Sequence, residues 1–373
     1  MRFILAAGGT AGHINPALAI AAEIKRRDPD AEIRFVGRPD GMEGRLVPEK
    51  GYMLLPVETT GFTRGRSVKA IEENIVAVKK ALTSVHACRK YYSEFKPNFV
   101  IGCGGYVSGP AVITAARMGI HTAIHEQNSF PGITTKMLSK RVEMIFAPSE
   151  EALERIGYPE KTTVVGNPIN EAFFTTDREE AREKLGVGDR VCIVSFGGSN
   201  GAKTINELAA KVMQKTCGTG RTFHIHATGP YWLELFPNRM KEYGIQPDNP
   251  NIDVRTYISD MADCLAAADL VIARSGANAI CEIAASGSAS VLIPSPNVTE
   301  NHQYYNALVL GNADAAIVCE EKDLDIDELA GRIADLADQP ERLRRMGTNA
   351  KSKAYRDSAK IIGEKIFGIL EKR

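Results

Sequence analysis

The sequence predicts an α/β protein of two doubly wound domains, each built on a parallel sheet. Short apolar runs alternate with helical patterns along most of the 373 residues, which is typical of a sheet covered by helices on both faces. The alternation restarts after Gly166-Asn167-Pro168. A chain of this length is large enough for two domains. The restart places their boundary near residue 166, so we expect the domains to span 1–166 and 167–355. A cleft between the domains is then the expected ligand site.

The predicted elements follow one another in the order that such a fold requires. In the first half the strands cover 2–7, 32–36, 99–102, 122–125, 144–147 and 162–165. The helices between them cover 14–27, 67–95 and 133–138, and a further helix begins at Gly109. In the second half, strands cover 191–196 and 269–273, and another ends at Ile293-Pro294. A last helical pattern, 356–373, follows without another strand, and one placement open to it is against the first domain.

A weak internal repeat supports the division into two domains. Residues 3–12 (FILAAGGTAG) and 192–201 (CIVSFGGSNG) begin 189 positions apart. Both read as an apolar strand, Gly-Gly, a hydroxyl residue, a variable residue and Gly. Two copies of one strand–loop–helix unit predict two domains of one architecture.

The composition argues against several classes of protein. The 46 basic and 46 acidic residues balance, so the chain as a whole is not expected to bind nucleic acid. The seven cysteines lie apart without a CxxC pair, which indicates reduced thiols and not a zinc site or a disulfide framework. The apolar run before Gly8 has only five residues (3–7), too few for a signal peptide, so we expect a cytoplasmic location. The uncharged stretch 97–116 contains two prolines and four glycines, and it is better explained as strand, loop and helix start than as a membrane span.

The two glycine loops are candidate anion sites. Glycines at a strand-to-helix turn let backbone N–H groups approach an anion at the positive end of the helix dipole. Neither loop has the Gly-Lys-Ser/Thr of a Walker motif or matches GxGxxG, so ATP and dinucleotides are disfavoured. A plain tight turn explains either loop alone, whereas two loops at equivalent positions favour anion binding.

His13 directly follows the first glycine loop, where the helix begins. The positive end of a helix disfavours imidazolium, so we expect a neutral imidazole that can act as a general base. The alternative is a histidine that only caps the helix.

Polar residues end two neighbouring strands of the first domain. His125, Glu126, Gln127 and Asn128 come at the end of strand 122–125, and the glycine-rich segment 104–109 ends the strand before it. The carboxyl ends of parallel strands face the ligand crevice. We therefore expect a binding wall here, although a solvated loop would have the same composition.

The second domain carries a third polar cluster. Ser275 and Gly276 open a helix whose N-terminus can face a diphosphate, and Arg274 adds a cation beside it. Glu282 lies about a turn and a half inside that helix, where a carboxylate can bind both hydroxyls of a ribose. Considered alone, it would be an exposed surface carboxylate. Residues 300–303 (ENHQ) are again polar at the mouth of the sheet.

Closely spaced aspartates raise the question of a metal ion. The DxD spacings at 28–30 and 323–327 lie in charged connections and not at the carboxyl ends of predicted strands. We therefore interpret them as solvated loops and expect neither a metal ion nor another cofactor.

These motifs, in this order, closely resemble the MurG family of bacterial N-acetylglucosaminyltransferases. The matching stretches are GGTAGHINPALAIA, GGYVSGPA, HEQNSFPG, VGNPI, FGGSNGAKTIN, RSGANAICEIAASG and NHQYYNA. The resemblance implies the GT-B fold, with two Rossmann-like domains facing a cleft. It further implies inverting transfer of N-acetylglucosamine from UDP-N-acetylglucosamine to the 4-hydroxyl of undecaprenyl-diphosphate-N-acetylmuramyl-pentapeptide, the lipid I to lipid II step of peptidoglycan synthesis. Such an enzyme would be peripheral, at the cytoplasmic face of the cell membrane.

The resemblance also implies roles for individual residues. His13 matches the family's favoured base candidate. Ser199 would bind diphosphate, the backbone of Ile258 would read the uracil edge, and Glu282 would hold the ribose. The full set implied for UDP-N-acetylglucosamine is Thr10, Ala11, Gly12, Asn128, Ser199, Ile258, Arg274, Ala277, Asn278, Glu282 and Gln303.

Further candidates for the acceptor or the cleft are Tyr106, His125, Glu126 and Asn206. Two positions depart from the family pattern. Ala11 stands where the first loop usually has glycine, which narrows the space for a close backbone approach. Asn170 stands where many members have arginine, so a donor contact through that position is not implied here.

A lipid-linked acceptor requires docking on a membrane surface. Residues 61–100 carry eight basic residues against three glutamates, a net charge of +5. The basic residues are Arg64, Arg66, Lys69, Lys79, Lys80, Arg89, Lys90 and Lys96. Within this segment Ile71, Ile75, Val78 and Leu82 share one helical stripe, which packing of a helix on a sheet would explain equally well.

The partners expected are UDP-N-acetylglucosamine, lipid I and anionic lipid, with wall-synthesis proteins as possible further partners. The charge of the two halves agrees with a first domain that faces anionic lipid, since residues 1–166 have a net charge of +5 and residues 167–373 have a net charge of −5. Two other function classes stay open: a UDP-sugar 2-epimerase or other GT-B transferase, and a UDP-sugar-binding module without activity.

Overall fold

The computed structural model describes residues 1–61, 67–246 and 248–371 of the chain. These residues form two compact units. The first unit contains Met1–Ile169 together with the C-terminal segment from Asp357, and the second contains Asn170–Arg356. Each unit has its own parallel sheet, so the prediction of two doubly wound α/β domains is confirmed.

Seven parallel strands form the sheet of the first unit, in the order β3-β2-β1-β4-β5-β6-β7. They are β1 (Arg2–Ala6), β2 (Glu32–Gly37), β3 (Met53–Pro56), β4 (Phe99–Gly102), β5 (His121–His125), β6 (Met144–Ala147) and β7 (Thr162–Val164). The first six helices of the chain belong to this unit. They are α1 (Ala11–Arg27), α2 (Met42–Glu49), α3 (Val68–Phe95), α4 (Ser108–Arg117), α5 (Ile133–Leu138) and α6 (Glu150–Ile156).

Strand β1 is buried on both faces at the centre of this sheet. Phe3 and Leu5 pack into the hydrophobic core on one side, while Ile4 and Ala6 pack into the core on the other. Successive side chains of a strand point to opposite faces, so a central strand covered by helices on both sides must be apolar throughout. This requirement explains the uninterrupted apolar run that begins at Phe3.

Six parallel strands form the sheet of the second unit, in the order β10-β9-β8-β11-β12-β13. They are β8 (Val191–Phe196), β9 (Thr222–Ala227), β10 (Ile252–Arg255), β11 (Leu270–Ala273), β12 (Ala289–Leu292) and β13 (Ala316–Val318). Its helices are α7 (Ala172–Thr175), α8 (Arg178–Lys184), α9 (Lys203–Thr216), α10 (Phe236–Glu242), α11 (Met261–Ala267), α12 (Ala277–Ser286), α13 (His302–Gly311), α14 (Ile326–Ala337) and α15 (Pro340–Lys351). Short 3-10 turns cover Pro159–Lys161, Cys217–Thr219, Pro230–Trp232, Thr299–Asn301 and Glu321–Asp323.

Both sheets reverse their strand order at an equivalent place. The reversal lies between β1 and β4 in the first unit and between β8 and β11 in the second. Ligands of doubly wound sheets bind outside the carboxyl ends of the strands at such a point. The two glycine loops follow β1 and β8, so each unit places its loop at its own reversal.

The last helix, α16 (Ser358–Leu370), packs on the first unit. Its Phe367 ring lies 5.8 Å from the ring of Phe3, and Ile362 and Ile366 are buried in the same core. At the rim, Arg27 of α1 lies 3.2 Å from the carboxylate of Glu364. The chain therefore returns to its first unit after completing the second.

Several elements differ from the sequence prediction for physical reasons. Strand β3 and the preceding helix α2 were not predicted, because β3 is a four-residue edge strand with only partial burial. Strand β9 is fully buried but contains His224 and His226, which interrupt its apolar pattern. In the 323–327 segment, Asp325 caps α14 and Asp327 lies inside that helix, so these aspartates are not all in a connecting loop. Among the described helices, none is long and apolar enough to cross a membrane.

Candidate functional site

A cavity of about 460 Å³ lies at the strand reversal of the second unit. It is bounded by the glycine loop after β8, the start of α12 and the segment after β12. The lining residues are Phe196, Gly197, Gly198, Gly201, Ala202, Lys203, Thr204, Arg274, Gly276, Ala279, Ser295, Asn297, Gln303 and Glu321. Small residues at the loop and at the helix starts expose backbone N–H groups to a ligand in this cavity.

Two helices begin at the wall of the cavity. Helix α9 begins after Ala202 and helix α12 after Gly276, and in the described structure neither N-terminus is capped by a side chain. The N–H groups of a first helical turn lack partners within the helix and carry partial positive charge. Two such helix starts at one cavity favour an anion such as a diphosphate.

Arg274 is held firmly at one side of the cavity. Its Nη1 donates to the carbonyl oxygens of Ile293 (3.1 Å) and Pro294 (3.2 Å) and lies 2.7 Å from Oε2 of Glu321. The hydroxyl of Thr204 donates to the other oxygen of Glu321 at 2.5 Å. Burial alone would raise the pKa of Glu321, but the hydrogen bond from Thr204 and the ion pair with Arg274 lower it overall. The guanidinium is therefore placed before any ligand arrives.

Gln303 and Lys203 add two further polar groups to the cavity. The Oε1 atom of Gln303 accepts a hydrogen bond from the backbone N–H of Ser295 at 2.9 Å. This bond engages the amide oxygen and identifies Nε2 as the atom with hydrogens left to donate. Lys203 is largely exposed and lies 3.8 Å from the carboxylate of Glu207. The cavity is thus lined by the fixed guanidinium of Arg274, by the exposed Lys203 and by the amide of Gln303, whose oxygen is engaged.

Helix α12 also carries the remaining residues implied for the nucleotide. Ala277 and Asn278 form its first turn and are partly buried, and Oδ1 of Asn278 has no hydrogen-bond partner among the described residues. Burial raises the pKa of Glu282, one turn further on, to about 7. A carboxylate in such surroundings gains from hydroxyl donors, which favour its ionised form.

Ser199 and Ile258 occupy different environments in the same unit. Ser199 is exposed in the glycine loop after β8. Ile258 follows β10, and its side chain is buried in the core of the unit. Among the described residues no backbone hydrogen-bond partner is seen for Ile258, and its role toward a uracil stays a prediction.

Asn206 has a packing role that differs from the ligand contact considered for it. The residue is fully buried on α9, and its Nδ2 donates to the carbonyl oxygen of Thr228 at 3.0 Å. The amide nitrogen therefore braces the end of β9, while Oδ1 is buried without a hydrogen-bond partner among the described residues. A polar residue near a glycine loop carries no sequence signal that separates these two roles.

In the first unit, His13 lies in the first turn of α1, after Thr10 at the N-cap and Ala11 and Gly12 at the helix start. Its Nδ1 lies 3.0 Å from the carbonyl oxygen of Gly8 and 3.4 Å from the hydroxyl oxygen of Thr10. Because a carbonyl oxygen only accepts hydrogen bonds, Nδ1 must carry the hydrogen, and Nε2 is then the basic nitrogen. This tautomer is the one that a general base acting through Nε2 requires.

The neighbouring glycine-rich segment comes very close to His13. Gly104 has a φ of +90°, and a Cβ at this position would lie 2.5 Å from Cδ2 of the imidazole. Only glycine fits both the conformation and the space. Tyr106, two residues on, is half exposed and packs its ring over Gly61.

Glu126 is buried and organises its own loop. Its Oε1 accepts hydrogen bonds from the backbone N–H groups of Gln127 and Asn128 at 2.9 Å each, and its Oε2 accepts from the N–H of Gly132 (3.0 Å) and the hydroxyl of Thr135 (2.5 Å). Both oxygens are therefore occupied. The structure gives Glu126 the role of shaping the loop that presents Asn128, in place of direct acceptor contact.

His125 is also buried, and both of its ring nitrogens have partners. Its Nδ1 accepts a hydrogen bond from Nε2 of Gln127 at 2.8 Å, and its Nε2 lies 3.1 Å from the carbonyl oxygen of Gly166. Burial lowers the pKa of His125 to about 4, so the ring is neutral near pH 7. His125 thus joins the end of β5 to Gly166, and neither ring nitrogen is left for direct contact with an acceptor.

Helix α3 has two apolar faces. One face, with Ala70, Ala77, Cys88 and Tyr92, is buried. The predicted stripe forms the other face. The solvent-exposed fractions of its residues are 53% (Ile71), 51% (Ile75), 48% (Val78) and 65% (Leu82). Packing on the sheet therefore does not explain the stripe. The basic residues Arg64 and Arg66 of the same predicted surface lie outside the described residues.

Sequence reasoning missed one carboxylate at each glycine loop. Glu43 is completely buried in α2, and its Oε2 accepts a hydrogen bond from the N–H of Gly9 at 3.1 Å. Glu321 lines the cavity of the second unit beside Arg274. Neither residue belongs to a motif or to a periodic pattern, so no local signal marks it.

Two family models match the chain. The glycosyltransferase family 28 N-terminal domain matches residues 3–147, and the glycosyltransferase family 28 C-terminal domain matches residues 192–362. The chain is 41% identical over 374 residues to the UDP-N-acetylglucosamine–N-acetylmuramyl-(pentapeptide) pyrophosphoryl-undecaprenol N-acetylglucosamine transferase of Acetivibrio thermocellus, covering 100% of this chain and 99% of the relative. It is 39% identical over 353 residues to the transferase of the same name from Halalkalibacterium halodurans, covering 94% and 95% of the two chains.

Solved structures give a consistent result. The crystal structure of Acinetobacter baumannii MurG superposes with a TM-score of 0.79 at 26% identity, covering 98% of this chain and 99% of that one. The UDP-GlcNAc 2-epimerase of Neisseria meningitidis, solved with UDP-GlcNAc bound, has a TM-score of 0.67 at 12% identity, covering 99% and 100%. The second likeness is one of fold alone.

Proposed function

Since the chain belongs to glycosyltransferase family 28, and to the group of pyrophosphoryl-undecaprenol N-acetylglucosamine transferases within it, we propose that it converts lipid I to lipid II. It transfers N-acetylglucosamine from UDP-N-acetylglucosamine to the 4-hydroxyl of undecaprenyl-diphosphate-N-acetylmuramyl-pentapeptide, with inversion at the anomeric carbon. This reaction is a step of peptidoglycan synthesis.

The observation that carries the donor half of this proposal is the cavity of the second unit. Two helix N-termini without side-chain caps meet Arg274 and Lys203 there. Preorganised positive groups of this kind stabilise the charge that develops on a leaving diphosphate. UDP is therefore the group that this unit holds as the glycosidic bond to it breaks.

The remaining donor contacts follow the residues already placed in this unit. Glu282 binds the ribose hydroxyls, the backbone of Ile258 reads the uracil edge, and Ser199 adds a hydroxyl to the diphosphate. The donor end of Gln303 binds a hydroxyl of the sugar. The resemblance also implies donor contacts for Asn128, in the loop organised by Glu126, and for residues 10–12.

His13 is the base of the proposed reaction. As the acceptor hydroxyl attacks the anomeric carbon, its proton passes to Nε2 of His13, while the electron pair of the broken bond leaves with UDP. The hydrogen bond from Nδ1 to the carbonyl of Gly8 supports the required tautomer. Protonation makes the ring an imidazolium, and that same hydrogen bond then becomes charge-assisted.

Acceptor-dependent release of UDP tests the proposed reaction. Purified protein is incubated with UDP-N-acetylglucosamine in the presence and absence of lipid I in detergent, and both UDP and lipid products are quantified. Release of UDP that requires lipid I and matches lipid II formation is the expected result. Formation of an epimeric UDP-sugar without acceptor supports the 2-epimerase instead, and tight UDP binding with neither product supports a binding module.

The exposed stripe of α3 supports docking of the first unit on an anionic lipid surface. Apolar side chains flanked by basic residues bind such a surface by burial and by charge attraction. The location that follows is peripheral, at the cytoplasmic face of the cell membrane.

Flotation with vesicles tests this docking surface. Wild-type protein is expected to float with vesicles that contain phosphatidylglycerol, and Leu82→Glu is expected to float several-fold less. The matched control is Met53→Glu, which changes a residue of similar exposure (57%) on β3. Equal flotation of Leu82→Glu and wild type, or no binding by wild type, contradicts the proposed surface.

A further inference from the structure

Glu43 occupies a completely buried position beside the first glycine loop. Its Oε2 accepts the backbone N–H of Gly9 and its Oε1 accepts the backbone N–H of Arg38, both at 3.1 Å. Each oxygen therefore acts as an acceptor, as an ionised carboxylate does. The residue also lies in the first turn of α2, where the helix dipole favours a negative charge.

The space around this carboxylate is made by glycines. A Cβ on Gly8 would collide with its Oε1, a Cβ on Gly41 would lie 2.6 Å from its Oε2, and a Cβ on Gly37 would lie 2.7 Å from its Cγ. These glycines come from the loop after β1, the N-cap of α2 and the end of β2. Three separate segments thus leave room for one buried acid.

A single peptide group connects this acid to His13. The N–H of Gly9 donates to Glu43, and the C=O of Gly8, on the other side of the same peptide bond, faces Nδ1 of His13 at 3.0 Å. A carboxylate that accepts a hydrogen bond from a peptide N–H increases the partial negative charge on that peptide's oxygen, because hydrogen bonds in a chain polarise one another. The order of groups is carboxylate, peptide, imidazole.

We propose that Glu43 is a positioning residue for His13 and acts through the Gly8–Gly9 peptide group. This inference rests on the proposed role of His13 as the base. Glu43 fixes the peptide orientation that selects the Nδ1–H tautomer, and its charge stabilises the imidazolium formed when Nε2 takes the acceptor proton. Glu43 itself gains no proton in the step.

Three other described charged or titratable groups of this region have partners of their own. Arg38 donates through its guanidinium to the carboxylate of Asp40 at 3.1 and 2.6 Å and is partly exposed. His125 is buried on β5 and is neutral near pH 7, since burial lowers its pKa to about 4. Both oxygens of Glu126 accept hydrogen bonds within its own loop. Among these groups, Glu43 alone is joined to His13 through one peptide.

The first test reads the tautomer of His13 directly. Protein labelled with ¹⁵N-histidine is examined by long-range ¹H–¹⁵N correlation, and the His13 signals are assigned by their loss in His13→Gln. Wild-type protein is expected to show hydrogen on Nδ1, and Glu43→Gln is expected to shift the population toward hydrogen on Nε2. Hydrogen on Nε2 in wild type, or an unchanged population in a folded Glu43→Gln protein, overturns the proposal.

The second test is kinetic. Glu43→Gln is expected to lower kcat by about 10- to 100-fold with the KM for UDP-N-acetylglucosamine unchanged, because the charged acceptor that orients the Gly8–Gly9 peptide is lost. The acid limb of the pH profile of kcat/KM is expected to move to lower pH, since removal of a negative charge lowers the pKa of the base. The matched control is Glu49→Gln, an exposed carboxylate on the same helix. A wild-type kcat and pH profile in Glu43→Gln overturns the proposal.

The two tests separate this proposal from the proposed function. If His13→Ala keeps full turnover, the base role is wrong, and the tautomer measurement still decides whether Glu43 controls His13. If His13→Ala is inactive and Glu43→Gln is normal, the base role stands and the positioning role is lost. Should Glu43→Gln fail to fold, Gly41→Ala displaces the same carboxylate without removing it, and the same two readouts apply.

Discussion

The two glycine loops of the internal repeat have the same place in the fold and opposite electrical surroundings. Each follows the first strand of its sheet and lies at the strand reversal. The first loop gives the N–H of Gly9 to the buried carboxylate of Glu43, whereas the second lines a cavity with Arg274 and two helix starts. One strand–loop–helix unit thus lies beside a buried carboxylate in one case and beside a cation in the other, which matches the roles that we propose for the two loops, orientation of a base and binding of an anion.

The largest expected effect comes from removing the base held by the first loop. We expect His13→Ala to lower kcat by about 10²–10⁴-fold, as is usual for loss of a general base, while the affinity for UDP stays at the wild-type value. Steady-state kinetics with lipid I and calorimetric titration with UDP measure the two quantities. A fall in UDP affinity as large as the fall in kcat would remove the distinction between the two loops.

Removing the fixed cation beside the second loop is expected to have the next largest effect. Arg274→Ala should lower kcat/KM by about 10²–10³-fold, because a preorganised donor to the leaving diphosphate is lost and Glu321 is left without its charge partner. UDP affinity should fall as well, in contrast to His13→Ala. Arg221→Ala, an exposed arginine of the same unit, is the control and should behave as wild type.

A pair of glycine substitutions compares the packing of the loops. Gly8→Ala should reduce the free energy of unfolding by about 1–3 kcal/mol, since its Cβ meets the carboxylate of Glu43 in a closed space. In Gly198→Ala the added Cβ has no atom within 4 Å. This substitution should lower the free energy of unfolding by about 1 kcal/mol, because alanine is strained at a φ of +88°. Differential scanning calorimetry of both variants measures the difference. Equal losses would mean that the first loop is no more tightly enclosed than the second.

The smallest effect concerns pH and the second unit. Burial raises the pKa of Glu282 to about 7, and ribose hydroxyls favour its ionised form, so donor binding should release a proton and weaken as the pH falls. Between pH 8 and pH 6 the affinity for UDP should fall by about tenfold. Titration calorimetry in two buffers of different ionisation enthalpy detects the released proton. In Glu282→Gln this pH dependence should disappear, and its persistence there would assign it to another group.

Local patterns were sufficient to predict much of the fold and part of the site. Strands β1 and β8 and their glycine loops could be predicted because a short, mostly apolar run that ends in Gly-Gly favours a buried strand followed by a turn. For α3, the spacing of the apolar residues predicted that they share one face of the helix, but it did not predict that this face is exposed. Periodicity reports which residues share a face, whereas exposure depends on what the rest of the chain covers.

The rest of the site could not be predicted, because a sequence pattern does not show where a side chain points or which distant residues folding brings together. His125, Glu126 and Asn206 are polar residues near strand ends, and the same pattern describes a side chain that points into a crevice and one that is buried under a loop. Glu43 lies 30 residues after His13 and is related to it only through a peptide group that folding brings into place. No sequence period connects two such positions.

The return of the last helix to the first unit affects the order in which the chain can fold. Ile362, Ile366 and Phe367 complete the core around Phe3, yet they are synthesised after the whole of the second unit. A nascent first unit therefore leaves the ribosome with part of its apolar interior uncovered, and a truncation at the far C-terminus damages the unit that was made first. Residues from both ends of the polypeptide are consequently needed to stabilise the unit that contains the proposed base.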